Sequence, residues 1–378
     1  MSAQDSVPST DEEIEEVARA VLANEIMLYL RATYFEEEDI DCLSLEELRE
    51  SAGYYPQYPR QITDSVDRTV TIYRPIERIV VTDDNHAELI RLIGAENKVV
   101  GIEGSIQDRG YFPVMSDKPD IGNQWSGLNY ELIAELNPDV VIMLGLPFVP
   151  VDPVLKKLDE IGVKAVCIDP IDIDKRANVI MLLGYILEET DRATDYCEWR
   201  EEKLGIVSRG LEDLDEEDKP KYVAKDTEFR GYFGKGYTMT KTIEMAGMRN
   251  IAEFHGMKVW VDLSWILEAE PEVFILGDWE SQYVGYKITS TSNAEADING
   301  EIDKPGFEEI PAVKNGSVYE VEYMLLGTRG DIGVLYLAKM AHPDKFPDNV
   351  LDPVKIHREY FEDWLRVDYQ GIFFYPHT

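Results

Sequence analysis

The sequence predicts an α/β fold of two lobes, each built on a parallel β-sheet, with one long α-helix between them. Three observations predict this fold. Short apolar runs alternate with amphipathic helical patterns in both halves of the chain, as repeated β–loop–helix units do. A helical pattern of about 35 residues, which no proline interrupts, separates these two halves. The length of 378 residues also exceeds what one hydrophobic core usually organises.

Residues 1–63 are predicted to form an acidic helical extension ahead of the lobes. Thr10 and Glu13 have the spacing of a capping box at a helix start, and Ser44 and Glu47 repeat that spacing. Apolar residues recur at helical intervals after the first box.

The N-terminal lobe is predicted over residues 64–170. The segment RIVVTDD (78–84) is a continuous apolar run that ends in polar residues, as a buried parallel strand does where it enters its loop. A helix that Gly94 closes and another strand come next. The pattern then predicts helix 129–136, strand 140–144, helix 153–161 and strand 164–168.

The long linker helix is predicted within residues 171–214, where it would span about 50 Å at 1.5 Å per residue. The C-terminal lobe is predicted over residues 215–350. Its segment LSWILEAEPEVFILGD repeats the helix, proline, acid and strand order of IAELNPDVVIML, which indicates two Rossmann-like lobes of similar topology. Residues 351–378 are predicted to form a helix and a tail that pack back on the body.

Composition excludes several classes of function. The chain has 74 acidic and 37 basic residues and a formal net charge of −37, so it repels nucleic acid and anionic lipid head groups. No apolar run reaches the roughly 18 residues that a membrane span needs. The sequence contains no GxSxG, no P-loop, no GxGxxG after a strand and no HExxH, so it is not expected to be an enzyme.

Four segments in order carry a resemblance to a known family. They are DSVDRTVTIYRPIERIVV, NYELIAELNPDVVI, AGMRNIA and GVLYLAKMAHPDKF. Together with the predicted long helix, these segments resemble the class III periplasmic-type substrate-binding proteins of ABC importers, the iron-siderophore and cobalamin-binding family. The resemblance covers roughly residues 64–370 and does not explain the N-terminal extension.

The resemblance implies a function and a place for it. Members bind iron(III)–siderophores, haem, cobalamin or bare metal ions outside the cytoplasmic membrane, and they dock on a permease. The protein is therefore expected to be an extracytoplasmic monomer whose export signal is absent from this sequence. Its expected partners are ABC permease subunits and a small metal chelate, and it would meet the membrane only through an anchor or the permease. The expected ligand is an iron(III)–siderophore, haem or a corrinoid, with no covalently bound cofactor.

The resemblance also implies roles for individual residues. WSGLNYE matches a WxGxNxE text of cobalamin-binding members, which places Trp125 in the cleft. Glu131 in the same segment matches a glutamate that forms a salt bridge with permease arginines. In the C-terminal lobe, Ser264 stands where the matching glutamate is expected. Arg329 lies at a place that resembles an anion-facing arginine of siderophore binders.

Residue types predict the remaining ligand contacts. Arg230, Tyr232 and Tyr237 lie in EFRGYFGKGYT, a glycine-rich loop after a strand, where their side chains could stack on a ligand or donate hydrogen bonds to it. Trp279 and Tyr283 follow the strand VFILGD and could reach the same cleft. Each of these residues also has a structural alternative, such as loop packing.

Other functions stay open at this point. The protein could bind bare metal ions or oxyanions, with His86 after the first strand as a candidate metal ligand. It could instead be a surface scaffold or adhesion protein that uses its N-terminal helices. A nitrogenase-like enzyme shares distant topology, but the three cysteines lie too far apart in the sequence to suggest a metal cluster.

Overall fold

The fold is described from a computed structural model, which covers residues 60–72, 74–146, 149–228, 230–256 and 259–377. The predicted helical extension lies outside the described residues except for its last four, Arg60–Thr63. These four residues form a β-strand that pairs with the following strand of the N-terminal lobe.

The N-terminal lobe has a four-stranded parallel sheet, with one β-hairpin before the sheet in the sequence and a second inserted between two of its strands. Its strands are β1 (Arg60–Thr63), β2 (Thr69–Ile72), β3 (Ile79–Val81), β4 (Val99–Ile102), β5 (Gly122–Asn123), β6 (Gly127–Leu128), β7 (Val140–Leu144) and β8 (Ala165–Ile168). Its helices are α1 (Asp84–Leu92), α2 (Ser105–Arg109), α3 (Tyr130–Leu136) and α4 (Asp152–Glu160). The sheet order is β4–β3–β7–β8, and every residue of β3 and β7 is buried, as their continuous apolar sequences predict.

The connection between the lobes is a helical hairpin, so the prediction of a single long helix is wrong. Its helices are α5 (Arg176–Leu187) and α6 (Thr190–Gly210). Glu188 adopts a left-handed conformation at φ 63° and ends α5 without a proline or glycine. The two helices pack side by side, with Thr194 Oγ1 3.8 Å from Met181 Sδ. A Cβ added at Gly184 would lie 2.5 Å from the Ala193 Cβ, so glycine permits this close approach.

The C-terminal lobe has a five-stranded sheet of order β10–β9–β11–β12–β13. Its strands are β9 (Lys221–Asp226), β10 (Arg249–Asn250), β11 (Val273–Asp278), β12 (Val318–Glu322) and β13 (Phe374–Pro376). Its helices are α7 (Thr240–Met245), α8 (Leu263–Ala269), α9 (Ser292–Ile302), α10 (Pro311–Lys314), α11 (Tyr323–Leu326), α12 (Gly330–Ala341) and α13 (Pro353–Glu359), with a π-helix at Tyr360–Trp364. All pairs are parallel except β12–β13. No helix within the described ranges is long and apolar enough to cross a bilayer.

The sequence repeat between the lobes is present in the structure. Helices α3 and α8 are each seven residues long and end at a left-handed residue, Asn137 (φ 45°) and Glu270 (φ 46°). A proline and a fully buried strand follow in both lobes. The two lobes therefore use the same local design to turn a helix into the next strand of the sheet.

A buried arginine holds the two lobes together. Arg329 precedes α12 in the C-terminal lobe, and its guanidinium donates to both carboxylate oxygens of Glu88 on α1 at 2.8 and 2.9 Å. It also pairs with Glu322 at the end of β12. Tyr360 donates to Glu88 at 2.6 Å. These groups are almost fully buried, and the ion pairs and the hydrogen bond offset the hydration that each group loses on burial.

The C-terminal segment adds a second connection between the lobes. After α13 the chain crosses to the N-terminal lobe, where Arg91 donates to the carbonyl of Leu365 at 2.5 Å and Arg366 pairs with Glu96 at 2.7 Å. The chain then returns to the C-terminal lobe as β13. This segment also supplies Phe361 and Phe373, which together with Tyr111 surround the Arg329 guanidinium at 4.8–5.7 Å.

We predict that Arg329→Met destabilises the fold by about 3–5 kcal/mol, because it leaves two buried carboxylates without their cation. The control is Arg358→Met, which removes an exposed pair with Glu362 at 3.2 Å and should cost less than about 1 kcal/mol. Urea unfolding followed by far-UV circular dichroism measures both values. Equal shifts of the two unfolding midpoints would contradict the assigned role of Arg329.

Candidate functional site

A cavity of about 580 Å³ lies between the two lobes. Its walls are the segments that follow β3, β4, β11 and β12, together with the β5–β6 hairpin. Because the carboxyl ends of the parallel strands in both lobes deliver these segments to the cleft, the cavity is at the usual ligand position of α/β sheets.

The turn from β3 into α1 forms the first part of the N-terminal wall. Asp83 is the N-cap of α1, and its carboxylate accepts a hydrogen bond from the Asn85 backbone N–H at 3.0 Å. Burial and the neighbouring Asp84 raise the pKa of Asp83 to about 7. The polar end of RIVVTDD therefore lies in the cavity wall.

The segment after β4 forms the rest of that wall and reaches across the cleft. Arg109 at the end of α2 pairs with Asp84 at 2.6 Å. The same guanidinium donates to the Ser281 hydroxyl of the C-terminal lobe at 3.2 Å. Asp84 raises the pKa of Arg109 above its ordinary value, so this arginine stays charged and remains paired with Asp84.

Trp125 lies in the cavity wall at the tip of the β5–β6 hairpin. Asn123 holds the tip, because its side-chain oxygen accepts hydrogen bonds from the backbone N–H groups of Trp125 at 3.0 Å and Ser126 at 2.8 Å. Trp125 is 61% exposed, so its own loop leaves most of the residue uncovered. An exposed ring on a fixed turn can serve as a flat apolar surface for a ligand.

The C-terminal wall contains a second tryptophan. Trp279 follows β11, and its ring contacts that of Tyr323, with 3.6 Å between the ring centroids. The Asp278 carboxylate shapes this loop by accepting backbone hydrogen bonds from Tyr283 at 2.6 Å and Val284 at 2.9 Å. The cavity therefore has one tryptophan on each lobe.

The end of β12 closes the cavity from the C-terminal lobe with Glu322, Tyr323 and Met324. Burial raises the pKa of Glu322 to about 7, although Arg329 opposes the shift, and Glu88 raises it further. The junction between the lobes thus extends to the cavity through Glu322.

Two of the predicted ligand contacts, Trp125 and Trp279, line the cavity, and the others do not. Arg230 is exposed, and Tyr283 is half-buried with its backbone bound by Asp278. Tyr232 is buried among the rings of Trp265 and Phe274.

Three further residues lie behind the cavity wall. Tyr237 is buried, and its hydroxyl is 3.1 Å from that of Tyr323. Arg329 was predicted to face the ligand, but it is fully buried in the lobe junction, where it pairs with Glu88. His86 is also fully buried, with Nε2 3.3 Å from the Ile168 carbonyl, and burial lowers its pKa to about 4.

Glu131 lies outside the cavity wall. It is exposed at the second position of α3, whose N-cap Asn129 accepts from the Leu132 backbone N–H at 3.1 Å. Ser264 is at the second position of α8 and is also exposed. The two lobes therefore differ at this equivalent position.

Most of the polar residues of the cavity wall are not among the ligand contacts predicted from the sequence. Its acidic residues are Asp83, Asp84, Glu103, Asp108, Glu280 and Glu322, and its basic residues are Arg109 and Lys287. Several of them directly follow the ends of predicted strands, which was the available signal. Within the described residues, no group of three or more His, Cys, Asp or Glu side chains converges to hold a metal ion.

Comparison with known proteins identifies relatives of the whole two-lobed body. The molybdate-binding protein MolA of Haemophilus influenzae is 23% identical over 335 residues, which cover 82% of this chain and 92% of MolA. The TroA-like periplasmic binding protein FepB from Veillonella parvula superimposes with a TM-score of 0.71 at 22% identity, covering 85% of this chain and all of FepB. Helicobacter pylori CeuE with Ni(II) bound gives a TM-score of 0.61 at 20% identity, covering 82% of this chain and 97% of CeuE.

A family model for periplasmic binding proteins matches residues 79–323, which is more than half of the chain. This match confirms the resemblance found in the four sequence segments, and the structural relatives confirm the two-lobed α/β fold. The chain therefore belongs to the periplasmic binding protein family, and it is the solute-binding protein of an ABC transporter and not an enzyme.

Proposed function

We propose that the protein captures a metal chelate, an iron(III)–siderophore or a corrinoid, outside the cytoplasmic membrane and delivers it to the permease of an ABC importer. The observation that carries the proposal is the cavity of about 580 Å³ with Trp125 on one wall and Trp279 on the other. Pockets for organic ligands commonly have such volumes, and two indoles offer flat apolar contact to the organic part of a chelate.

The alternative ligands have less support. A bare metal ion needs several convergent ligands, and His86 is buried away from the cavity. An oxyanion such as molybdate, which gives MolA its name, needs basic side chains that are free to bind it. In this cavity Arg109 is already paired with Asp84, which leaves Lys287 among six carboxyl groups. The scaffold function depends on the N-terminal extension, which lies almost wholly outside the described residues.

The lobe junction favours capture with little closure. Arg329 and the C-terminal segment both connect the lobes behind the cavity, and opening the lobes would take the buried Glu88 carboxylate away from its Arg329 partner. We therefore propose that the side chains at the mouth of the cleft, and not a large rotation of the lobes, adapt to the ligand.

We predict that replacing either cleft tryptophan weakens chelate binding. Trp125→Ala and Trp279→Ala should each raise the Kd about tenfold, because each removes one aromatic wall. Trp260→Ala is the control, since Trp260 is 73% exposed and lies outside the cavity wall. Fluorescence titrations of the wild type with ferric siderophores, haem and cobalamin select the ligand, and the variants are then compared by calorimetry. Equal losses in all three variants would contradict a ligand site between the tryptophans.

We also propose that Glu131 contacts the permease. It is exposed on α3, which follows the hairpin that carries Trp125, and it is not part of the cavity wall. Because Ser264 takes the equivalent position on α8, the proposed contact is asymmetric between the lobes. An exposed carboxylate in such a contact sets orientation and encounter rate more than affinity.

Glu131→Arg should slow association with the permease by about tenfold at low salt and leave ligand binding unchanged. Glu160→Arg is the matched control, because Glu160 is also exposed and ends α4, the helix between β7 and β8. Surface plasmon resonance on the reconstituted permease measures both rates. If Glu131→Arg associates as fast as Glu160→Arg, Glu131 is not a docking residue.

A further inference from the structure

The charges around the cavity are strongly unbalanced. Two of its six carboxyl groups have basic partners, since Asp84 pairs with Arg109 and Glu322 pairs with Arg329. The remaining four share the wall with Lys287, which is its one further basic residue within the described ranges. These four are Asp83, Glu103, Asp108 and Glu280, and within the described residues none of them has a basic partner.

The whole chain is acidic, so what distinguishes these four groups is their position in the cavity wall. Acidic side chains on the outer surface stay hydrated and need no counter-ion. The carboxyl groups in the cavity wall lose part of their hydration when a ligand displaces water, and removing an ion from water costs several kcal/mol unless a counter-charge replaces the water. Half-buried Asp83 and Glu103 are already partly dehydrated before a ligand enters, whereas Asp108 and Glu280 are exposed and lose hydration only when a ligand covers them. The ligand itself is then the available source of positive charge.

We propose that the cleft selects solutes of net positive charge and that, among metal chelates, it takes those whose organic part carries an ammonium or another cationic group. This inference rests on the proposed function, which gives the class of ligand, and it adds the charge of that ligand. The tryptophan rings contact the apolar part of the chelate, and they also favour a cation near their faces. Anionic chelates and oxyanions are repelled by the same wall.

A matched pair of ligands tests the charge directly. One is a linear iron(III) trihydroxamate with a free terminal ammonium, and the other is the same chelate with that amine acetylated, so size and metal centre are equal. The ammonium form should bind roughly tenfold more tightly at low salt, and the ratio should shrink as salt screens the carboxylates. An iron(III) tris-catecholate, which is a trianion, should bind more weakly than both. Equal affinity within the pair, or tighter binding of the catecholate, overturns the proposal.

Two variants locate the effect. The double variant Asp108→Asn with Glu280→Gln keeps the shape of the wall and should reduce the preference for the ammonium form severalfold. Glu295→Gln removes an exposed carboxylate of α9 outside the cavity wall and should leave the preference unchanged. An unchanged preference in the double variant would show that these carboxylates do not set it.

A second measurement does not depend on chelate binding. Caesium and iodide quench tryptophan fluorescence and differ in the sign of their charge, so their ratio reports the potential at each indole. The fluorescence of each indole is the difference between the wild type and the variant that lacks it, Trp125→Phe or Trp260→Phe. At constant ionic strength, the caesium-to-iodide quenching ratio of the Trp125 fluorescence should be at least about twofold higher than that of the Trp260 fluorescence. If no chelate binds and this ratio is high, the proposed chelate function fails while the selection of cations stands. A ratio no higher than that of Trp260 overturns the selection of cations.

The charge of the cavity also depends on pH, through one group on each lobe. Asp83 faces Asp84, Asn85, Glu103 and Tyr323, and burial followed by the charge of Asp84 raises its pKa to about 7. Protonation of Asp83 below that pH removes one negative charge from the N-terminal wall.

Glu322 is the corresponding group on the C-terminal lobe, where burial raises its pKa to about 7. It faces Arg329, Glu88, Arg109 and Asp278, so its two acidic neighbours favour the proton and its two arginines oppose it. The two raised pKa values have the same consequence, because lowering the pH removes one negative charge from each wall of the cavity.

Affinity for the ammonium-bearing chelate should therefore rise severalfold from pH 6 to pH 8, as both groups lose their protons. The acetylated chelate should show a smaller change. Asp83→Asn, which keeps a good N-cap for α1, should reduce the slope. Calorimetry in buffers of different ionisation enthalpy should also detect proton release on binding near pH 7. Affinity that is flat or falls over this range would contradict the role of these two groups.

Discussion

The guanidinium of Arg329 is the group on which the two-lobed arrangement depends. A fully buried cation is tolerated only where its charge is matched, and Arg329 obtains its two carboxylates from different lobes. Glu88 comes from α1 of the N-terminal lobe, and Glu322 comes from the end of β12. The junction therefore fixes how the lobes face each other. It also fixes the C-terminal wall of the cavity, because Glu322 belongs to both the junction and that wall.

This shared residue connects the stability of the body with the chemistry of the site. One arginine serves two carboxylates, so the buried cluster carries an excess negative charge, and burial raises the pKa of Glu322 towards neutrality. The cavity in front of it adds four carboxyl groups and one lysine. A ligand that supplies positive charge would relieve an imbalance that the fold leaves in place. A ligand that supplies negative charge would increase it.

The sequence predicted the frame of the molecule better than its site. Continuous apolar runs such as that of β7 identify buried strands directly, and the Asn129 cap marks the start of α3. The break at Glu188 had no such signal, because a non-glycine residue in a left-handed conformation leaves the helical pattern intact. Arg329 was misplaced for a different reason. Its partner Glu88 is 241 residues away in the sequence, and no local pattern records a contact over that separation.

The cavity wall could have been predicted further than it was. Asp83 and Glu322 stand directly at the ends of strands whose positions were correct, and in a parallel sheet those ends meet at the ligand edge. Such loop residues change without disturbing the strands behind them. CeuE and MolA share this frame at 20% and 23% identity, and one binds Ni(II) while the other is named for molybdate. The shared frame therefore does not identify the ligand, and the strand-end residues are where the cavity of this protein can differ from those of its relatives.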